Sequence, residues 1–372
     1  MSRALDTIAV LMPLPAKALE KVRSAFKTVH YAPSGPDVPA KRLPAEVWKD
    51  VEVLFCDWTG PPKDLELSEV PNLRHVQLPT AGVDGALANS KLVQELAARD
   101  PSASSEGPTV SSASGIHVFT IPNWVVGMTI ALSQQHHVMA RFARDSSRAN
   151  EQEQQHWADE MEVGPVGKFY NRPLWGRTAG MLGYGALGRE TARLLKAHGM
   201  RIIAANLTGK ASKFEDWTPE GTGDLDGSIP DKYYSVKDEA QFEQFLRDTD
   251  VLVCSLPGTP ATRHLLDAKK LALLKPEALF LNVGRGTLIS SEELLKALES
   301  EGLFGAAIDV ADPEPLPDGH PLFTHPKCIV TPHLSGHAKG EEVLGAELAI
   351  VNAERIRRGE TPYNVADLKK GY

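Results

Sequence analysis

Short apolar runs alternate with helix-like spacing of apolar residues along the first third of the chain. Apolar runs at residues 7–12, 51–56 and 73–78 predict strands, and the apolar residues of 15–26 are spaced as on one face of a helix. Strands that alternate with helices indicate βαβ units and a parallel sheet. We therefore expect the first 120 residues to form a small, doubly wound α/β domain.

The pattern changes in the middle of the chain. Residues 123–139 are apolar with helical spacing, and they carry the chain towards a second unit. The stretches 100–115 and 214–235 are rich in Gly, Pro or Ser and predict irregular surface loops, while 115–119 is a further candidate strand. Because 372 residues exceed what one core usually fills, two domains are expected.

Composition narrows the class of protein. The chain has 40 Lys and Arg against 48 Asp and Glu, a formal charge of −8, and this acidic balance argues against a nucleic-acid partner. No apolar run reaches the ~18 residues of a membrane span, and the N-terminus does not resemble a secretory signal. Cys56, Cys254 and Cys328 are scattered, as in a reducing compartment, so we expect a cytoplasmic protein without membrane partners.

A nucleotide-binding fingerprint lies at the centre of the chain. An apolar strand, 178–182, leads into GYGALG, and a helix and a second strand follow. Gly183 permits a tight turn, Gly185 lets backbone approach a pyrophosphate, and Gly188 lets the helix pack closely. The helix N-terminus offers free N–H groups to phosphates, so we predict dinucleotide binding. The alternative is a glycine-rich turn in an unrelated sheet. The predicted contacts are Gly183, Tyr184, Gly185, Ala186, Leu187 and Gly188.

The residue after the second strand bears on the choice of cofactor. NAD-binding folds usually place an acid there to hold the ribose, whereas this chain has Asn206. Asn206 does not repel a 2′-phosphate, and Thr208 and Lys210 can support one, so NADP(H) is favoured. The alternative is that Asn206 binds the ribose of NAD(H) and that Lys210 is a solvated loop cation.

Three motifs in the second half each follow a strand-like run with one polar residue. They supply Arg285, Glu314 and His333, which can converge because loops after parallel strands share the carboxyl edge. Reduction of a 2-keto acid needs planar donors for a carboxylate, a proton donor near neutral pH, and a carboxylate to orient that donor. We predict these roles for Arg285, His333 and Glu314, in that order.

Each of these residues has a simpler interpretation when it is taken singly. Arg285 can be a turn residue, Glu314 a solvated loop acid, and His333 a helix cap. A metal site is not predicted, because Pro332 and Gly336 do not favour a helix that would join His333 to a second histidine.

The motifs GYGALG, VLVCSLPGTPATRHLL, NVGRG, AAIDVADPEPLP and TPHLSG occur in this order. With them the sequence resembles the D-isomer-specific 2-hydroxyacid dehydrogenases over roughly residues 50–345. The resemblance implies two Rossmann-like domains with an interdomain cleft: a substrate domain of 1–121 plus 338–372, and a dinucleotide-binding domain of 122–337. It also implies a homodimer.

The resemblance extends the set of site residues. It implies that Asp309 lies near the nicotinamide carboxamide and that the amides of Ala81, Gly82 and Val83 hold the substrate carboxylate, with Arg285 and His333 as further substrate contacts. The further cofactor contacts that it implies are Leu256, Pro257, Thr262, Val283, Gly284 and Gly336.

The sequence also departs from the family pattern. The acid after the second strand is missing, Asn123 stands where a Glu is usual, and the stretches near 100–115 and 214–235 are unusual insertions.

The expected activity is therefore NAD(P)-dependent interconversion of a small 2-keto acid and its D-2-hydroxy acid. Glyoxylate, hydroxypyruvate and a bulkier aliphatic or aromatic keto acid are the candidate substrates. One alternative is a nucleotide-sensing scaffold like the corepressor relatives of the family. Phosphite or formate dehydrogenation is a further alternative, although the formate enzymes pair the histidine with Gln and this chain has Glu314.

Overall fold

The computed structural model describes residues 5–34, 43–99, 107–144, 169–300 and 302–371. These residues divide into two compact units. Unit 1 takes the described residues of Met1–His117, Glu215–Gly221 and His337–Tyr372, and unit 2 takes those of Val118–Phe214 and Thr222–Gly336.

Strands and helices alternate, as the apolar pattern predicts. The strands are β1 Thr7–Val10, β2 Thr28–Tyr31, β3 Val53–Phe55, β4 His75–Gln77, β5 Thr109–Ser111, β6 Thr178–Leu182, β7 Arg201–Asn206, β8 Lys232–Ser235, β9 Val251–Cys254, β10 Ala278–Asn282, β11 Leu303–Ile308 and β12 Cys328–Val330. The helices are α1 Ala16–Ala25, α2 Ala45–Asp50, α3 Asp84–Asn89, α4 Lys91–Ala97, α5 Ile121–Ser133, α6 His136–Arg144, α7 Ala186–Ala197, α8 Glu239–Arg247, α9 Ala268–Leu271, α10 Ser291–Glu299 and α11 Glu341–Arg357.

Unit 1 is built on a parallel sheet in the order β2-β1-β3-β4-β5. Its central strands β1, β3 and β4 are buried over nearly their whole length, because side chains cover the sheet on both faces. One face packs against a cluster that includes Trp48 and Leu92, and the other against Val22 of α1 and Ala349 of α11.

Unit 2 is built on a parallel sheet in the order β12-β11-β10-β9-β6-β7-β8. The sequence order runs outward from β6 in both directions, so the connections reverse between β6 and β9. In doubly wound sheets, ligands bind outside the carboxyl ends of the strands at such a switch point. The chain thus forms two doubly wound α/β units, as predicted.

Three local expectations are wrong. Residues 115–119 form turns and not a strand, because the chain has already left the sheet after Ser111. The stretches 100–115 and 214–235, which the sequence predicts to be irregular loops, contribute β5 and β8. Residues 100–106 lie outside the described part of the chain.

The segment Glu215–Gly221 groups with unit 1, although the sequence places it inside the predicted domain 122–337. Trp217 accounts for this grouping, because it packs against the buried cluster of Ala113, Ile116 and Leu348. No helix in the described ranges is long and apolar enough to cross a membrane.

Candidate active site

The glycine motif forms the turn between β6 and α7. Gly183 has a φ of +98°, a conformation that side-chain-bearing residues rarely adopt. A Cβ on Gly188 would lie 2.3 Å from the carbonyl oxygen of Gly183, so only glycine allows helix and turn to pack this closely. A Cβ on Gly185 would have no protein atom within 4 Å. The space beside Gly185 is therefore open, and the sequence predicts that a pyrophosphate approaches the backbone at this residue.

Helix α7 points its N-terminus at this opening. The helical hydrogen bonds begin at the Arg189 amide, which donates to the Gly185 carbonyl at 2.9 Å, so the preceding amides of the first turn have no acceptor within the helix. Such amides and the positive end of the helix dipole bind anions. The residues present thus fit a dinucleotide phosphate.

Tyr184, a predicted cofactor contact, turns its side chain into the protein. Its hydroxyl donates to Asp224 Oδ2 at 2.7 Å, and burial, reinforced by this hydrogen bond, raises the pKa of the Tyr184 hydroxyl far above its ordinary value. Arg189, only 3% exposed, donates to the carbonyl oxygens of Tyr184 (3.0 Å) and Ser212 (2.9 Å). Only the backbone of Tyr184 therefore faces the glycine turn.

Asn206 ends β7 and organises the loop that follows. Its Oδ1 accepts from the amides of Thr208 (3.0 Å) and Gly209 (2.7 Å), and its Nδ2 donates to the Lys210 carbonyl at 2.9 Å. The side chains of Thr208 and Lys210 are exposed beside it. Residues 206–210 therefore carry a cation and a hydroxyl and no carboxylate.

The loops after β9, β10 and β11 interlock. A Cβ on Gly284 would lie 2.5 Å from the Leu256 carbonyl oxygen, and a Cβ on Gly286 would lie 1.7 Å from that of Ala311. Arg285 thus stands between two positions that only glycine can fill. Asn282, which is buried, accepts from the Gly284 amide and donates to the Arg285 carbonyl, each at 3.1 Å. The loop that carries Arg285 is therefore rigidly shaped.

The remaining predicted contacts in this region support the same loops. Thr262 donates from its hydroxyl to the Pro257 carbonyl at 2.7 Å, which closes the loop after β9 on itself. Val283 is buried in the core of unit 2, and the carbonyl of Gly336 accepts from the Thr120 hydroxyl at 3.3 Å.

His333 and Glu314 are in direct contact. His333 Nδ1 donates to Glu314 Oε1 at 2.5 Å, and the two side chains are 50% and 39% exposed. Within the described residues, His333 Nε2 has no hydrogen-bond partner. His333 has a φ of +57°, a strained conformation for a residue with a side chain. The carboxylate therefore fixes the ring and leaves its second nitrogen available.

Asp309 holds the loop that carries His333. Its buried carboxylate accepts from the amides of Leu334 (3.1 Å) and Ser335 (3.0 Å) and from the hydroxyls of Thr331 and Ser335. Four donors fill the acceptor positions of one carboxylate. In this structure Asp309 thus supports His333, and its contact with a carboxamide stays a prediction.

Arg285 belongs to the same edge. Arg285, Glu314 and His333 follow β10, β11 and β12, which are neighbours in the sheet. The Gly286–Ala311 contact joins the first two loops, and the Glu314–His333 hydrogen bond joins the last two. The structure thus carries the predicted triad on three adjoining loops.

The predicted carboxylate-binding loop lies in unit 1. It follows β4, and Val83 is the N-cap residue directly before α3. The Thr80 hydroxyl donates to the Gly82 carbonyl at 2.7 Å, whereas the amides of Ala81, Gly82 and Val83 donate to no acceptor among the described residues. Three amides in a row are therefore free to bind an anion.

Two features of the edge were not predicted. Asn282 belongs to the motif NVGRG, but the motif does not indicate that its side chain shapes the loop of Arg285. His264 and Asp312 form a second imidazole–carboxylate pair, with 2.6 Å between Nε2 and Oδ2. No signal in the sequence joins two residues that are 48 positions apart.

Comparison with known proteins identifies the family to which the chain is similar. Residues 136–335 match the family model of the D-isomer specific 2-hydroxyacid dehydrogenase NAD-binding domain. The chain is 30% identical, over 87% of its length and 91% of the relative's, to an uncharacterized protein in the proB 3′ region of Corynebacterium melassecola. It is 32% identical to glyoxylate/hydroxypyruvate reductase A of Photorhabdus laumondii, a match that spans 52% of this chain and 55% of that protein.

A solved structure shares the fold over the full length. The D-isomer specific 2-hydroxyacid dehydrogenase from Xanthobacter autotrophicus, determined with NADPH and MES, is 24% identical, and the match covers 100% of both chains with a TM-score of 0.71. The glycine turn before α7 and the matching family model together indicate a nicotinamide cofactor. The chain therefore belongs to the D-isomer specific 2-hydroxyacid dehydrogenases, oxidoreductases that act on CH–OH groups.

Proposed function

We propose that the protein catalyses the reversible, NADPH-dependent reduction of a small 2-keto acid, such as glyoxylate or hydroxypyruvate, to the D-2-hydroxy acid. The observation that carries the proposal is the 2.5 Å hydrogen bond between His333 Nδ1 and Glu314 Oε1. It leaves His333 Nε2 without a partner among the described residues, on the sheet edge that also bears Arg285 and the glycine turn.

His333 is the proton donor in the direction of reduction. Nδ1 is engaged by Glu314, so the proton delivered to the developing alkoxide comes from Nε2. Glu314 stabilises the charged imidazole before this transfer and keeps the ring in place. In oxidation, the same nitrogen takes the proton back.

Arg285 binds the substrate. Its planar guanidinium can donate two parallel hydrogen bonds to a carboxylate, and the charge also polarises a neighbouring carbonyl oxygen. Rigid glycine positions on both sides limit where the guanidinium can go. The free amides of Ala81, Gly82 and Val83 are further proposed donors to the substrate carboxylate.

The cofactor is proposed to bind along the glycine turn and the loop after β7. It supplies the hydride, while the amides at the N-terminus of α7 bind its pyrophosphate. Exposed Thr208 and Lys210, and the absence of a carboxylate at Asn206, favour a ribose that carries a 2′-phosphate. The NADPH complex of the Xanthobacter relative is consistent with this choice.

The substrate class follows from the site and from the relatives. Arg285 and the imidazole of His333 suit any 2-keto acid. The name of the Photorhabdus reductase favours the short substrates glyoxylate and hydroxypyruvate.

A spectrophotometric screen tests the proposal. The purified protein is mixed with NADPH or NADH and a panel of 2-keto acids, and the loss of absorbance of the reduced cofactor is followed. We expect turnover of short 2-keto acids, with a higher kcat/KM for NADPH than for NADH. Lack of turnover across the panel with both cofactors would refute the proposal, and a preference for NADH would refute the assignment of the loop after β7.

A further inference from the structure

We propose that His264 is a positioning residue for the proton-transferring pair: by holding Asp312, it fixes the loop on which Glu314 meets His333. This inference rests on the proposed function, because it concerns the geometry of that reaction. His264 lies on the loop after β9, which joins β9 to α9.

The backbone of His264 is held tightly. Its φ is +48°, a left-handed conformation that residues with a side chain rarely adopt. The His264 amide donates to the Thr287 carbonyl at 2.7 Å, and the Leu266 amide donates to the Leu288 carbonyl at 3.1 Å. These bonds attach His264 to the segment directly after Arg285.

The side chain of His264 reaches the next loop. Its Nε2 lies 2.6 Å from Asp312 Oδ2, and the two side chains are 47% and 20% exposed. The Asp312 carbonyl also accepts from the Ser291 amide at 3.0 Å. Asp312 is thus anchored through both its backbone and its side chain.

Glu314 depends on these anchors because of its neighbours. Pro313 and Pro315 have no N–H group, so the backbone around Glu314 can make few hydrogen bonds of its own. Glu314 Oε2 accepts from the Ala311 amide at 3.3 Å, and Oε1 accepts from His333. The place of the Glu314 carboxylate is therefore set by Ala311 and Asp312, and His264 holds Asp312 from outside the loop.

A half-exposed ion pair contributes little to global stability. Its effect on catalysis can be larger, because a displacement of about 1 Å in a catalytic group can lower the rate by about 10²-fold. The two kinds of effect can therefore be separated by experiment.

Three variants at the pair test the proposal: His264→Asn, Asp312→Asn and the double variant. Asn tolerates the left-handed conformation but cannot reach Asp312 as Nε2 does. We expect kcat to fall about tenfold in each single variant, while KM for NADPH stays within about twofold. The double variant should be no slower than the slower single variant, since both remove the same interaction. His264→Gln, which has a longer side chain with an amide donor, should recover part of kcat.

Lys275→Gln is the matched control. Lys275 pairs with Asp250 at 2.8 Å with similar exposures, 38% and 15%, but at the amino edge of the same sheet. Lys275→Gln should lower stability about as little as His264→Asn does, and it should leave kcat unchanged. The proposal would be overturned if kcat were unchanged in both single variants, or if kcat fell equally in Lys275→Gln. It would also be overturned if the only change in the variants were a higher KM for NADPH.

Hydrogen exchange provides a readout that needs no turnover. The amides in the peptide 309–316 should exchange faster in His264→Asn than in the wild-type protein, and Lys275→Gln should not change them. If the wild-type protein turns over no 2-keto acid, the proposed function fails, and exchange still decides the positioning role. Unchanged exchange in His264→Asn would overturn it.

Discussion

The carboxyl edges of the two parallel sheets differ in how far their ionisable side chains are exposed and in whether their hydrogen-bonding positions are filled. At the carboxyl edge of the sheet in unit 2, His333 and Glu314 are 50% and 39% exposed, and one ring nitrogen has no partner among the described residues. In unit 1, Asp57 follows β3 at the corresponding edge, but it is buried and accepts from Ser34, from the Thr59 hydroxyl at 2.6 Å and from the Thr59 amide at 2.8 Å. Groups with filled hydrogen-bonding positions stabilise a fold, whereas half-exposed groups with an open position are available for chemistry.

The largest expected effect is on turnover and comes from the sheet edge in unit 2. His333→Ala should lower kcat about 10³-fold, because it removes the proposed proton donor, while NADPH still binds. Steady-state kinetics and a fluorescence titration with NADPH measure the two quantities. His198→Ala, an exposed histidine at the end of α7, is the control and should have wild-type kcat. Near-full kcat in His333→Ala would remove the assigned role.

The next effect is on stability and comes from unit 1. His75 in β4 is fully buried, and burial lowers its pKa from 6.5 to about 4. Between pH 6.5 and pH 4, His75 is protonated in the unfolded chain but neutral in the folded chain. The free energy of unfolding therefore falls as the pH falls through this range. The free energy of unfolding of unit 1 should decrease by about 3 kcal/mol between pH 6.5 and pH 4 from this group alone.

Urea unfolding at several pH values measures this loss. His75→Gln keeps a polar partner for the Thr109 hydroxyl, which lies 2.9 Å from His75 Nδ1, and should make the dependence on pH shallower. His30→Gln, in the partly exposed β2, is the control and should leave the dependence of stability on pH as it is in the wild-type protein. A slope that is identical in wild type and His75→Gln would contradict the prediction.

Substitutions of Arg285, on the carboxyl edge of the sheet in unit 2, test its proposed role in binding the substrate. Arg285→Ala should raise KM for the keto acid about 100-fold, because two charge-assisted hydrogen bonds are lost. Arg285→Lys keeps the charge without the planar fork and should recover only part of the affinity. Both variants should unfold at wild-type urea concentrations. KM and kcat that are both unchanged in Arg285→Ala would count against its role.

The glycine turn separates binding from folding within unit 2. Gly185→Ala places a methyl group where no protein atom lies within 4 Å, so it should leave Tm unchanged and weaken NADPH binding about tenfold by blocking close approach. Gly188→Ala places the methyl group 2.3 Å from the Gly183 carbonyl and should lower Tm. Calorimetry and cofactor titration distinguish the two. If the affinity for NADPH is unchanged in Gly185→Ala, the pyrophosphate does not bind against Gly185.

The smallest effect concerns the cofactor's ribose. Asn206→Asp can still accept from the Thr208 and Gly209 amides, but it loses the donor to Lys210 and adds a charge that opposes a 2′-phosphate. The ratio of kcat/KM for NADH to that for NADPH should rise about fivefold, or about 1 kcal/mol. A ratio that does not move would show that Asn206 is not at the ribose.

Sequence and structure agree best where a signal is local. The strands β6 and β10 are buried over their whole length and are apolar at most positions, as parallel sheets covered on both faces require. The glycine motif is also partly local, because the positive φ of Gly183 and the close approach of Gly188 to the Gly183 carbonyl involve positions that are five residues apart, although Gly183 also packs against Ser255 and Leu256. The short strands β5 and β8 were missed because three or four residues in a Gly- and Pro-rich stretch give no reliable period.

By itself, the sequence determined the α/β class, the phosphate-binding turn and the polar residues that follow β10, β11 and β12. The tertiary structure alone decided which of those residues touch. The 2.5 Å contact of His333 with Glu314, the four donors around Asp309, and the pairing of His264 with Asp312 all join separate loops. Local propensity acts over a few residues, whereas these contacts depend on which strands become neighbours and how far each loop extends beyond its strand.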